Sequence, residues 1–175
     1  GKHISDFLIQ KVNANKRVKV LHDSYCFKLL KEGNTCIGAE VYNTITNKVN
    51  TFYAAKIILA TGGASALYEY TSNSSQSIGS GVALAEEIGV EITNMEFIQF
   101  HPTAYVSDKK TILISEALRG EGATIIDNSW QKLVGIELLT RDKLSRILYN
   151  GMQNGEDYFL DCTNIPEEVL SKFAY

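Results

Sequence analysis

The 175-residue sequence predicts an α+β fold, and three observations predict it. Segments of strand composition between residues 25 and 55 are separated by turn residues, the pattern of an antiparallel β-meander. Helical periodicity flanks that meander, at 4–12 and again from about residue 81. Beyond residue 110, short strands and helices follow one another without an internal repeat. At 45% hydrophobic and 21% charged, the chain has the apolar material for a packed core and is no disordered tail.

Each element has its own signal. Ile4, Phe7, Leu8 and Val12 share one helical face, and Asn13 to Lys16 breaks it. VKVLHD (18–23) leads into the strand YCFKLLKEG (25–33); CIGAEVYN (36–43) follows and VNTFYAA (49–55) closes the meander. KIILA (56–60) is a short apolar run that ends at Thr61-Gly62-Gly63, which predicts a fully buried strand stopping at a tight turn. A helix is predicted from about Gly81, with Val82, Ala85 and Ile88 along one side, and extended chain over 92–103. Residues 112–123 hold a short helix, 123–127 a strand and NSWQ a turn. Thr140 suits the N-cap of the next helix, with Asp142 in its first turn, Leu144, Ile147, Leu148 and Met152 on one face, and Gly155 at its end. FLDCT (159–163) predicts a strand and IPEEVLSKF a helix with proline in its first turn.

Composition excludes several function classes. Seventeen Lys+Arg against twenty Asp+Glu leave a net charge of −3, which argues against a nucleic-acid binder working through a basic surface. Cys26, Cys36 and Cys162 are odd in number and lack CxxC spacing. Neither a disulfide framework nor a metal site is expected, and a reducing cytoplasm is the simplest home. The N-terminal residues lack the apolar stretch of a signal peptide, and the longest apolar run, IILA at 57–60, is far too short for a bilayer span. Gly1 stands in place of an initiating Met, so the chain is expected to be a piece of something larger.

Four motifs carry chemistry. ILATGG is a strand-glycine turn of the kind that lets backbone approach a dinucleotide, although many strands end in Gly-Gly. The stronger GxGxxG fingerprint is missing, and Gly79-Ser80-Gly81 lacks its third glycine. In QFHPT, His101 is either a core histidine satisfied by backbone or a donor held rigid by Pro102 and aimed at an anion. In SEALRGEG, Glu116 and Arg119 stand at i, i+3 and can pair, while Gly120 and Gly122 predict a close backbone approach. In TRD, Arg141 sits at the first turn of a helix, where the dipole disfavours a cation unless a carboxylate is held there. His101, Arg119 and Arg141 together could form a positive pocket for an acid.

ILATGGASALYEYTSN, GSGVALAEEIGVEITNMEFIQFHPTA, LISEALRGEGA and LTRDKLSRI, in this order and spacing, resemble one family over most of the chain. It is the flavoprotein family of L-aspartate oxidase, fumarate reductase and the succinate dehydrogenase flavoprotein subunit. Within it, ATGGAS followed by LYEYTSN and EFIQFHPTA is most similar to L-aspartate oxidase. The resemblance implies a glutathione-reductase-like FAD-binding domain, of which 1–98 would be part, and an α+β capping domain, of which 99–175 would be part. It implies FAD as cofactor and oxidation of L-aspartate to iminoaspartate for quinolinate and NAD synthesis, with hydride passing from the substrate Cα to the flavin N5. FAD would be reoxidised by oxygen or fumarate, and quinolinate synthase is the partner that this member suggests. A fumarate reductase or succinate dehydrogenase segment, and a non-catalytic module of the same family, are the alternatives.

Residue by residue, the resemblance makes His101 the holder of a substrate carboxylate and Ser115 a hydroxyl donor to it. Arg141 matches the proton donor or acceptor, and Glu116 and Arg119 the relay to solvent. Ala60, Thr61, Gly62 and Gly63 match the turn beside the flavin, and Ser80 stands where aspartate oxidases usually carry Asp in a GDG motif. The stretch 129–142 is shorter than the usual aspartate-oxidase loop and resembles soluble fumarate reductases in length. The family's N-terminal GxGxxG, an upstream active-site glutamate and the histidine and arginine that grip the second carboxylate have no counterpart here. The chain is therefore expected to be an internal fragment that neither holds FAD tightly nor turns over by itself, which an absorption spectrum checks.

Overall fold

The computed structural model describes residues 2–107, 110–136 and 139–173, arranged in two compact units. One comprises Gly1–Thr61 with Ser80–Thr93, the other Gly62–Gly79 with Asn94–Tyr175. Glu137 and Leu138, in the stretch before Arg141, lie outside the described residues.

The first unit contains α1 (Lys2–Ala14), β1 (Ser24–Glu32), β2 (Thr35–Asn43), β3 (Lys48–Tyr53) and α2 (Ser80–Glu87). The meander forms as the sequence predicts, an antiparallel sheet in the order β1-β2-β3. Leu29 of β1 and Leu84 of α2 are buried, and Lys31 Nζ donates to the Ile88 carbonyl at 2.6 Å, fastening the sheet to the end of α2. Leu84 and Gly81, which periodicity did not single out, are the buried positions of α2. Helix α1 forms where expected, yet it buries no residue, and its apolar face of Ile4, Phe7, Leu8 and Val12 is exposed. VKVLHD is irregular chain.

One expectation fails here. KIILA is no strand, and Ile58 is 88% exposed. A buried strand must have ladder partners for its backbone groups, and among the described residues no strand pairs with 56–60. Apolarity makes burial favourable but does not supply the neighbouring strands.

The second unit contains β4 (Ala104–Ser107), β5 (Lys110–Leu113), α3 (Ala117–Gly120), β6 (Thr124–Asp127), α4 (Arg141–Gln153), β7 (Tyr158–Asp161) and α5 (Glu167–Leu170). β4 pairs with β5 and β6 with β7, both antiparallel. One core cluster joins Ile125, Ile136, Leu144 and Leu148; another joins Leu118, Ala123 and Ile165.

Helix α4 buries Leu144, Leu148 and Gly151, whereas Ile147 and Met152 face outward, against expectation. The buried stripe is a single narrow row: Leu144 and Leu148 pack with Ile125 and Ile136, and Gly151 leaves room for the ring of Tyr158. Thr140 holds the N-cap position in extended conformation, but its hydroxyl donates to Asp142 Oδ1 at 2.5 Å and caps no helical N–H. Among the described residues no helix is long and apolar enough to cross a membrane, and no group of His, Cys, Asp or Glu is placed to hold a metal ion.

Candidate active site

The β4–β5 hairpin assembles the site. Just beyond its last strand pair, Ile114 N–H donates to the Thr103 carbonyl at 3.1 Å, and the Thr103 hydroxyl donates to the Ile114 carbonyl at 3.0 Å. This double tie sets residues 101–103 beside 114–116. Thr103 is the buried polar residue of the described chain, 7% exposed. A buried hydroxyl needs such a partner.

Helix α4 is held to the same place by its first turns. Ser145 Oγ donates to the Phe100 carbonyl at 3.0 Å, and Arg141 Nη1 donates to Gln99 Oε1 at 2.9 Å. The other arm of the guanidinium, Nη2, reaches Glu116 Oε2 at 2.8 Å. Arg119 Nη2 meets Glu116 Oε1 at 3.1 Å. Each carboxylate oxygen therefore takes one guanidinium. Arg119 is mostly buried, and its Nε and Nη1 are enclosed without a hydrogen-bond partner among the described residues.

The electrostatics follow from those contacts. The hydrogen bond from Arg141 holds the Glu116 carboxyl below the usual carboxylate range, opposed by partial desolvation and aided by the charges of Arg141, Arg119 and His101. Glu116 in turn pushes the Arg141 guanidinium upward. A cation at a helix N-terminus is thus neutralised by a carboxylate, as the dipole requires. Exposed ion pairs add little stability, so this arrangement matters mainly for how it orients the groups.

Of the residues singled out in the sequence, Glu116, Arg119 and Arg141 are brought into direct contact. His101 acts electrostatically on Glu116 and has Nδ1 against Thr103. Ser115 adjoins Glu116, and its Oγ accepts the Ala117 N–H at 3.3 Å. Two partners were missed. Gln99 precedes His101 by two positions, so extended chain puts both on one side, a legible signal. Thr103 had no signal, because a hydroxyl's burial depends on distant contacts. Among the described residues nothing makes the close approach expected at Gly120 and Gly122, and Gly122 serves its backbone, at φ +109°.

Ala60, Thr61 and Ser80, which begins α2, belong to the first unit, and Gly62 and Gly63 to the second. Residues 60–63 are exposed. Gly62 adopts φ +79°, Gly63 has open space where a Cβ would stand, and its carbonyl accepts the Gly79 N–H at 3.1 Å. Bare backbone of this kind fits the flat rings of a dinucleotide, which need close approach without side chains.

Comparison with known proteins agrees with that chemistry. The family model described as FAD binding domain matches residues 1–172. L-aspartate oxidase of Clostridium perfringens is 35% identical over 175 residues, covering 97% of this chain and 39% of its own length. A fumarate reductase (CoM/CoB) chain of Methanothermobacter marburgensis is 33% identical, covering 89% of this chain and 30% of its own. The solved E. coli quinol fumarate reductase chain FrdA shares the fold, with a TM-score of 0.87 at 23% identity over 98% of this chain and 33% of its own. The chain thus spans between 30% and 39% of these relatives. It belongs to the FAD binding domain family of FAD-dependent oxidoreductases, and FAD is its cofactor.

Proposed function

We propose that the protein is an L-aspartate oxidase that converts L-aspartate to iminoaspartate. The observation behind this reading is the continuous contact Arg141–Glu116–Arg119, which begins at the exposed guanidinium and ends at a buried one. The likeness to L-aspartate oxidases supplies the substrate.

FAD, when bound, would supply the two-electron acceptor for the oxidation at the substrate Cα. The backbone of Ala60, Thr61, Gly62 and Gly63, with Ser80, would lie against it. His101 and Ser115 hold one substrate carboxylate, which fixes the direction in which the rest of the molecule projects. Arg141 exchanges the proton of the reaction. A free guanidinium is a poor base, since it is protonated at all ordinary pH. Here Glu116, ionised and bonded to Nη2, can take one proton as Arg141 receives another, so no neutral arginine need accumulate. Arg119 stands on the second oxygen and holds the Glu116 carboxylate in place for that exchange.

A second reading, a fumarate reductase or succinate dehydrogenase flavoprotein, is favoured by the short stretch 129–142 and by the fumarate reductase relative. The same contacts would then deliver a proton to substrate carbon. Assay of the full-length protein with L-aspartate under oxygen or fumarate, against succinate with a dye acceptor and fumarate with a reduced dye, separates the two. L-aspartate-dependent reduction supports the proposal; turnover of succinate or fumarate as the reactant alone selects the second reading. Turnover of none of them would make the protein a non-catalytic family member.

A further inference from the structure

Gln99 and Glu116 hold the two arms of the Arg141 guanidinium, and they differ in kind. Nη1 donates to the Gln99 amide oxygen at 2.9 Å and Nη2 to Glu116 Oε2 at 2.8 Å. A guanidinium has donors and no acceptor, so the Gln99 atom that faces it is the oxygen, and the amide NH2 is turned away. The side chain of Arg141 is 41% exposed. In that setting a long side chain held at one nitrogen alone swings about the single bond and gives up its direction to entropy. A second bond, on the other arm, fixes the plane. Each bond uses one hydrogen of its nitrogen, and each nitrogen carries another.

We propose that Gln99 is a positioning residue: its amide oxygen locks the Arg141 guanidinium in one orientation, so that Nη2 stays on Glu116 and the second N–H of Nη1 keeps a fixed direction for the substrate. This rests on the reading of Arg141 as the proton-exchanging residue. The two acceptors divide the work. An amide oxygen only accepts a hydrogen bond and takes no proton at ordinary pH, so the arm on Gln99 is held while proton exchange is confined to the arm on the Glu116 carboxylate. A neutral amide also leaves the local charge in place. Arg119 and Arg141 share the single carboxylate of Glu116, two positive charges against one negative, which leaves +1. A second carboxylate at position 99 would erase that charge, which suits an acidic substrate. The backbone is tied at the same place. Phe100, next to Gln99, accepts at its carbonyl the hydroxyl of Ser145, four residues after Arg141 on the same face of α4, at 3.0 Å. The seats of both side chains are thereby fixed relative to each other.

The experiment compares the full-length wild type with Gln99→Leu, which keeps the size and removes the oxygen, and with Gln99→Glu, which restores an oxygen in the same place. With L-aspartate, Gln99→Leu is expected to lose about 10²-fold in kcat, the scale for a misplaced reacting group, with KM within about threefold. Gln99→Glu is expected to recover most of that kcat while KM rises, because the added charge repels an acid. An unchanged kcat in Gln99→Leu, a loss confined to KM, or a loss that Gln99→Glu leaves in place overturns the proposal. A second measurement needs no turnover. Nitrogen-15 spectra of arginine-labelled protein show separate Nη1 and Nη2 signals when rotation about the Nε–Cζ bond is slow, and Arg141→Lys identifies the signals of Arg141. Separate signals in wild type that merge in Gln99→Leu support the proposal; separate signals in both, or merged signals in both, overturn it. Where wild type turns over no L-aspartate, the reading of the function fails, and the spectra alone decide on Gln99.

Discussion

Arg141 and Glu116 are 25 positions apart in sequence and 2.8 Å apart in space. The contact joins the first turn of α4 to the residue just before α3. It converts a cation that the helix dipole disfavours into one half of a bridge, whose other half is Arg119 on the second carboxylate oxygen.

Arg141→Lys should lower kcat of the full-length enzyme by about 10²–10⁴-fold, the range for loss of a proton-transferring group. An ammonium cannot hold Gln99 and Glu116 along two fixed directions as the planar fork does. Steady-state kinetics check this, and near-normal kcat would remove Arg141 from the reaction.

The Glu116 carboxyl titrates below its unfolded value because Arg141 bonds its charged form. Its contribution to stability is therefore present above the unfolded carboxylate range and is lost as pH falls through the folded one. The difference in Tm between wild type and Glu116→Gln should shrink as pH drops below about 4. Calorimetric scans across pH test the sign; a gap that widens on acidification would contradict it.

Thr103→Val keeps the shape but leaves the Ile114 carbonyl without its hydroxyl donor. The expected cost is about 1–3 kcal/mol, that of an unsatisfied buried acceptor. Thr103→Ser should retain most of it. Urea unfolding of the three proteins gives the ranking.

Gly151 faces Tyr158 so closely that a Cβ would collide with the phenol oxygen. Gly151→Ala should destabilise by about 1–3 kcal/mol through overpacking. It should also disturb the hydrogen bond that Tyr158 O–H donates to Glu156. That bond, first among the causes, pushes the phenol up to about 12. Its stabilisation is complete below the unfolded tyrosine value and disappears as pH rises through the folded one. In an absorbance titration, one tyrosine of the nine in this chain should ionise late in wild type and earlier in Glu156→Gln.

Local patterns determined a good deal. The meander was legible because strand runs and turn residues recur at short range, and hairpins need only their neighbours. The Glu116–Arg119 pair was legible because helical spacing alone makes i and i+3 adjacent. Tertiary structure decided the rest. KIILA reads as buried because it is apolar, but burial needs partner strands, and Ile58 is exposed. The outward turn of Ile147 and Met152 depends on which face of α4 packs against Ile125 and Ile136. The meetings of Arg141 with Gln99 and with Glu116 join segments 42 and 25 positions apart in the chain. Periodicity records which face of one element is apolar, whereas a hydrogen bond between two elements depends on how both are packed, and no single stretch of sequence contains that information.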